Sequence, residues 1–244
     1  PQKSILVVGW ESGNLHSWKF GSGWQALQAP HSAPPLLLAW SSGGGRLIIS
    51  DAASAVTGWR LNTSGLLMAY HLTVDEPLTH VAFCPLDNGV SESIVRGLAK
   101  AAIAGDEGAL DVLASWRPRT APRITGVPGD NHSFYAAQQN GNILFIDDSG
   151  TCSEIMSSVG IVHFMEMVTS NSLVIAWESG GTLSLTRFLV NINRKSLDAM
   201  MHVKMTSRVG LTITSAGGSS IAVLSGETIV RIWDSETNDN STLP

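Results

Sequence analysis

Charge is scarce in this chain, and so are the residues that build metal sites and covalent staples. Only 14% of its 244 residues are Asp, Glu, Lys or Arg, and 15 Lys and Arg against 20 Asp and Glu leave a formal net charge of −5. Phosphate recognition needs clustered Lys and Arg, so this balance argues against a nucleic-acid surface and favours protein partners. Cysteine occurs twice, at Cys84 and Cys152, far apart, with no CxxC spacing and no His at a zinc-ligand interval. Both are expected as buried free thiols. No apolar run reaches the roughly 18 residues of a membrane span. The opening Pro1-Gln2-Lys3-Ser4 leads straight into a strand-like run without a signal-peptide pattern, which gives the expectation of a cytosolic chain.

Catalytic patterns are missing too. His16, His31, His71, His80, His132, His163 and His202 are scattered without HExxH spacing, and neither a P-loop nor GxGxxG occurs. Asp147-Asp148, ahead of Ser149-Gly150, reads as turn chemistry rather than an acid pair. The expectation is a chain that is not an enzyme, with no catalytic residue, cofactor or metal. A hydrolase would instead need carboxylates and His converging on one site. Three N-glycosylation patterns, Asn62-Thr63-Ser64, Asn131-His132-Ser133 and Asn240-Ser241-Thr242, are short enough to arise by chance and also read as turns.

Apolar residues (43%), 24 Gly, 10 Pro and 8 Trp are what is plentiful, a composition that suits many short strands joined by tight turns. Val7-Val8-Gly9-Trp10-Glu11-Ser12-Gly13 nearly recurs as Val174-Ile175-Ala176-Trp177-Glu178-Ser179-Gly180, and each copy runs on into a second apolar run. Hairpin blocks then follow at close to the roughly 40 to 45 residues of a WD-type blade. They start at Ile5, Pro35, Leu78, Val162 and Leu211, the third resuming at Ser133 after an interruption. The fold class this predicts is all-β, a WD40-type β-propeller over 1–244, partial, with about five to six blades visible. Inner strands such as Leu173-Val174-Ile175-Ala176 are apolar throughout, as burial on both faces requires. The first block lacks its opening strand and the last its closing one, which predicts a piece of a longer chain.

Ile232-Trp233-Asp234 is the clearest WD signature, with Trp59-Arg60 and Trp18-Lys19 in equivalent places. His31, Ser50, Asp51 and Trp59 fit a network tying loop to strand. The same residue types suggest a Ser/His/Asp triad, but no nucleophile elbow surrounds Ser50, so the structural reading stands.

The interruption differs from the rest. Ser91 to Trp116 lacks β-branched alternation; Ser91 or Ser93 fits a helix cap, and Ile94, Leu98 and Ala101 share one helical face. Gly105-Asp106-Glu107 reads as a break before a second helix whose apolar stripe is Leu110, Leu113 and Trp116. A helical insertion with a basic, proline-punctuated loop, Arg117 to Arg123, is therefore expected over 89–125.

Leu98-Ala99-Lys100-Ala101-Ala102-Ile103-Ala104-Gly105-Asp106-Glu107-Gly108-Ala109-Leu110-Asp111, inside a blade, resembles the insertion in the N-terminal WD-repeat domain of the intraflagellar transport protein 140 family. Val8-Gly9-Trp10-Glu11-Ser12-Gly13, Trp59-Arg60-Leu61, Leu78-Thr79-His80 and Arg231-Ile232-Trp233-Asp234 extend the resemblance in the same order. The resemblance implies a non-catalytic scaffold subunit of intraflagellar transport complex A, active in retrograde transport and ciliary entry of membrane cargo. It implies other complex A subunits and a tubby-like cargo adaptor as partners, and the cilium or flagellum, basal body and cytoplasm as location. A WD module of another coat or adaptor complex is the alternative. Candidate partner-binding residues are Leu98, Lys100, Asp106, Glu107 and Leu110 of the insertion, with Trp10 and Trp177 beside turns. For the apolar ones and both Trp, packing within the blade is the competing role.

Overall fold

The computed structural model describes residues 5–41, 44–62, 65–84, 100, 102–105, 133–147, 149–169, 171–190, 195–206, 212–216, 220–224 and 230–243. Among them, strands in chain order form five antiparallel sheets, each an up-and-down meander. The first sheet has three strands, β1 (Ile5–Gly9), β2 (Leu15–Lys19) and β3 (Gly23–Leu27). The second has β4 (Pro35–Trp40), β5 (Arg46–Asp51), β6 (Ala55–Leu61) and β7 (Leu66–Thr73). The third has β8 (Leu78–Phe83), β9 (Phe134–Gln138), β10 (Ile143–Ile146) and β11 (Cys152–Met156). The fourth has β12 (Ile161–Thr169), β13 (Ser172–Ser179), β14 (Thr182–Val190) and β15 (Leu197–Thr206), and the fifth β16 (Thr212–Ala216), β17 (Ser220–Leu224), β18 (Val230–Asp234) and β19 (Asn240–Leu243).

The sheets radiate from their first strands: β4 lies beside β8, β8 beside β12, and β12 beside β16. This is a WD40-type propeller, and side-chain alternation explains its core. Successive residues of a strand point to opposite faces, so in β5 Ile49 faces Val7 and Leu15 of the first sheet while Ile48 faces Phe134 and Leu144 of the third. Tyr135 and Phe145 of the third sheet meet Leu173, Ile175 and Phe188 of the fourth. Val174, Ala176 and Leu185 turn the other way, onto Ile221, Val223 and Trp233. Inner strands of the second, third and fourth sheets are thus buried on both faces against neighbouring sheets, and runs such as Leu47-Ile48-Ile49 and Leu173-Val174-Ile175-Ala176 are apolar without alternation. In the outer strands β7 and β15, part-buried residues alternate with exposed ones over much of their length, as one solvated face requires.

A bulge recurs at one place in the first strands. Register shifts between Pro35 and Leu37, between Leu78 and His80, and between Val162 and Phe164, leaving Leu36, Thr79 and His163 as the extra residues. An inserted residue bends the strand and increases its twist, which suits the crowded centre of a radial arrangement.

Several expectations need correction. The fifth block does not lack its closing strand: β19 pairs with β18, Trp233 opposite Asn240 and Arg231 opposite Thr242. Asn240-Ser241-Thr242 is therefore strand and not turn; its polarity suits an outer edge and hides it from an apolar-run search. β3, Gly23-Trp24-Gln25-Ala26-Leu27, also went unread: it is short and holds no β-branched residue, and four of its five residues are exposed. Cys84 is a buried free thiol, but Cys152 is exposed on β11, the outermost strand of its sheet. Most of the expected insertion lies outside the described residues. Within it, Lys100, Ala102 and Ile103 have helical backbone, and the Ala104 N–H donates to the Lys100 carbonyl at 3.0 Å. No further helix is formed among the described residues.

Candidate functional site

In a meander of four strands, the turn from second to third strand and the connection to the next sheet fall on the same rim. These segments interlock. The Gln139 N–H donates to the Pro77 carbonyl and the Gln138 side-chain amide to the Glu76 carbonyl, both at 3.0 Å, tying the β9–β10 turn to the connection entering β8. The Val159 N–H donates to the Gly141 carbonyl at 3.1 Å, so the same turn also grips the connection leaving β11. Gly141 and Gly160 pass so closely that neither has room for a side chain. A Cβ on Gly141 would lie 2.4 Å from the Gly160 oxygen, and one on Gly160 would lie 2.2 Å from the Glu178 oxygen.

His31, in the connection from β3 to β4, is held by a buried chain of hydrogen bonds. The Trp59 indole N–H donates to the Thr57 hydroxyl at 2.8 Å. The Thr57 hydroxyl in turn donates to His31 Nε2 at 2.8 Å, the tautomer in which His31 Nδ1–H donates to the Asp51 carboxylate at 3.1 Å. The other Asp51 oxygen accepts the Ala53 and Ala55 N–H groups at 3.0 and 2.8 Å. Three of the four expected members are present, but the hydroxyl is Thr57 and not Ser50. Ser50 and Asp51 are neighbours in a strand and point to opposite faces. The Ser50 hydroxyl therefore turns to the third sheet and accepts the Leu78 N–H at 3.2 Å. The arrangement resembles a catalytic triad in composition only. Asp51 and Thr57 have no exposed surface, and the hydroxyl already bonds Trp59, so no substrate reaches it.

Trp233 is fully buried and donates its indole N–H to Asn238 at 3.0 Å, while Asp234 ends β18 by accepting the Glu236 and Thr237 N–H groups. The Thr237 and Glu236 N–H groups hold the Asp234 carboxyl below its usual range. Asp147 plays the same part after β10. Burial pushes its carboxyl up, but the Ser149 hydroxyl and the Thr151 and Ser149 N–H groups outweigh that and lower it. Asp148 lies outside the described residues.

The two copies of the repeated segment end differently. In the first, Trp10 opens a turn: its backbone N–H donates to the Asn14 carbonyl and its indole N–H to His16 Nδ1 at 3.0 Å, and the residue is 54% exposed. In the second, Trp177-Glu178-Ser179 stay in β13, because Gly180 and Gly181, at φ of 57° and 74°, close the hairpin in two residues. Trp177 is half-buried, stacked on Phe188 at 6.3 Å, and it packs against the core between the third and fourth sheets.

The strands of the fourth sheet run 8 to 10 residues, against 4 to 6 in the third. The excess projects past the neighbour and leaves a cleft of about 460 Å³ lined by Val159, Trp177, Ser179, Thr182, Ser184, His202 and Lys204. His202 Nδ1 shares a 2.6 Å hydrogen bond with the Thr186 hydroxyl, and burial, then the Lys204 ammonium, holds its ring below the usual His range. Nearer the centre, His80 is likewise lowered, by burial first and by the charge of His163, although a bond to the His163 backbone opposes this. His163 itself meets Glu178 at 3.2 Å. Among the described residues no three His, Cys, Asp or Glu side chains are grouped to hold a metal.

Of the insertion candidates, Lys100 is exposed, while Leu98, Asp106, Glu107, Leu110 and the Arg117–Arg123 loop lie outside the described residues. The structure does not bring Trp10 and Trp177 together, since Trp10 lies in the turn after β1 of the first sheet and Trp177 in β13 of the fourth. The cleft beside Trp177 escaped sequence reasoning; the only signal for it was the length of the fourth block.

Two solved structures share the architecture. The C-terminal WD40 domain of Sif2 is 16% identical, with a TM-score of 0.59 over 97% of this chain and 53% of that one. The Dos1 propeller is 10% identical, with a TM-score of 0.65 over 98% of this chain and 55% of that one. At such identities the likeness concerns the fold alone, and the chain spans just over half the length of each. The family described as IFT140 first beta-propeller matches residues 1–244 from end to end. The chain therefore belongs to the IFT140 first beta-propeller family, a family of non-catalytic WD-repeat scaffolds in intraflagellar transport.

Proposed function

We propose that this propeller serves a scaffold subunit of intraflagellar transport complex A, supporting retrograde transport and ciliary entry of membrane cargo through protein–protein contacts. The family match over the full 244 residues carries this reading. Membership of complex A and association with the cilium are what the family implies; basal body and cytoplasm complete the location. A rigid stack of sheets whose polar loops face outward suits a docking platform, and propellers host many functions, so the partner must come from surface chemistry. The partners are other complex A subunits and a cargo adaptor of the tubby-like type.

The insertion expected over 89–125, with its basic loop, is one contact region in this reading, through Leu98, Lys100, Asp106, Glu107 and Leu110. Trp10, with its exposed indole, is a second anchor of the kind that dominates interfaces. The test is affinity purification of the tagged full-length protein from ciliated cells. Transport subunits should co-purify, and reversing the three charges (Lys100→Glu, Asp106→Lys, Glu107→Lys) should lower their recovery several-fold while the thermal midpoint holds. Co-purification with a different coat or adaptor complex would replace the transport assignment. Full recovery by the charge-reversed variant would remove the insertion as a contact.

A further inference from the structure

We propose that the cleft between the third and fourth sheets binds an extended acidic peptide, with an apolar side chain seated on Trp177 and a carboxylate three residues further on at Lys204. This goes beyond complex membership and does not depend on it.

Register supplies the spacing. Trp177 stands directly opposite Ser184, and Ser184 directly opposite Lys204, so an aromatic ring, a hydroxyl and an ammonium form one row across β13, β14 and β15. Neighbouring strands lie about 4.8 Å apart, so the row spans about 10 Å. Three residues of an extended polyproline II chain rise about 9 Å and complete one turn, so side chains three positions apart share a face. A peptide crossing the strands thus meets the ring with one side chain and the ammonium with the side chain three positions later.

Charge supplies the sign. No carboxylate lines the cleft. Lys204 is exposed and forms no ion pair among the described residues. In a chain of net charge −5 this is a local positive site, completed by the hydroxyls of Ser179, Thr182 and Ser184 as hydrogen-bond donors to an anion. The apolar wall comes from Trp177 and Val159. The site remains uncovered because the fourth sheet outreaches the third, so a peptide fills space that the core does not use.

The test is fluorescence anisotropy with the full 244-residue chain and a labelled, end-blocked peptide Thr-Phe-Ser-Thr-Glu-Glu-Ser. Saturable binding should weaken as salt is raised and should be lost when both Glu are replaced by Gln. Lys204→Glu should weaken it roughly tenfold without moving the thermal midpoint, because Lys204 is exposed. Trp177→Leu should also weaken it; since Trp177 packs on the core, Lys204→Glu is the deciding variant. Equal binding of the Glu and Gln peptides, unchanged binding by Lys204→Glu, or no saturation up to millimolar peptide would overturn the proposal. So would Lys204-dependent binding to phosphatidylserine vesicles in the absence of peptide binding.

Discussion

Asp51→Ala should destabilise the propeller by about 3–5 kcal/mol, one of the two largest single-residue effects expected here. The carboxylate has no exposed surface and accepts three N–H groups, from His31, Ala53 and Ala55. Alanine leaves the buried His31 and Ala55 donors and the part-buried Ala53 N–H without this acceptor, and it removes the tie that sets His31 against the second sheet. The chain of bonds predicts a graded series. Trp59→Phe removes one N–H donor and keeps a ring in place, so it should cost only about 1 kcal/mol. Asp51→Asn keeps one acceptor oxygen but turns an amide N–H toward a donor, and should fall between the two. Urea denaturation of the three variants checks the order. An Asp51→Ala protein as stable as the parent would show that the chain of bonds does not form.

Gly160→Ala should cost about 3 kcal/mol, lowering the thermal midpoint by roughly 6–12 °C. At φ of 125° a side chain is strained wherever it points, and here the added Cβ would stand 2.2 Å from the Glu178 carbonyl oxygen. That oxygen belongs to a strand paired on both sides, Glu178 lying opposite Ile161 of β12 and Leu183 of β14, which holds it in place. Relief therefore requires moving the connection, which also carries the bond from Val159 to Gly141. Gly180→Ala is the matched control: its φ is 57°, nothing lies within 4 Å of the added Cβ, and the cost should be about 1 kcal/mol. Scanning calorimetry separates the two. Equal losses at both positions would mean that the connection packs less tightly than described.

The sequence revealed the propeller because its inner strands are dense in apolar residues, and because turn chemistry punctuates them at a regular interval. It revealed less wherever register or polarity decided the outcome. Thr57 could not be chosen over Ser50 without knowing which face of β6 carries Trp59. β19 escaped notice because an edge strand needs few apolar residues, and β3 because it is short and without β-branched residues. Trp10 and Trp177 sit in almost the same heptapeptide, yet a second glycine after Gly180 lets one copy continue as strand where the other turns. Cys152 was expected inside, as free cysteines usually are, and an outer strand put it outside. The cleft depends on the difference in length between two adjacent sheets, which becomes visible only when they are paired.

The most direct test of the central claim, that these residues form a radial stack of sheets used as a docking platform in the transport complex, is a density map of that complex purified with the full-length protein. It should show residues 1–244 as antiparallel sheets fanning from β4, β8, β12 and β16, with at least one other subunit resting on their loops. A two-layered sandwich in that position, or an intact complex from which this protein is missing, would contradict it.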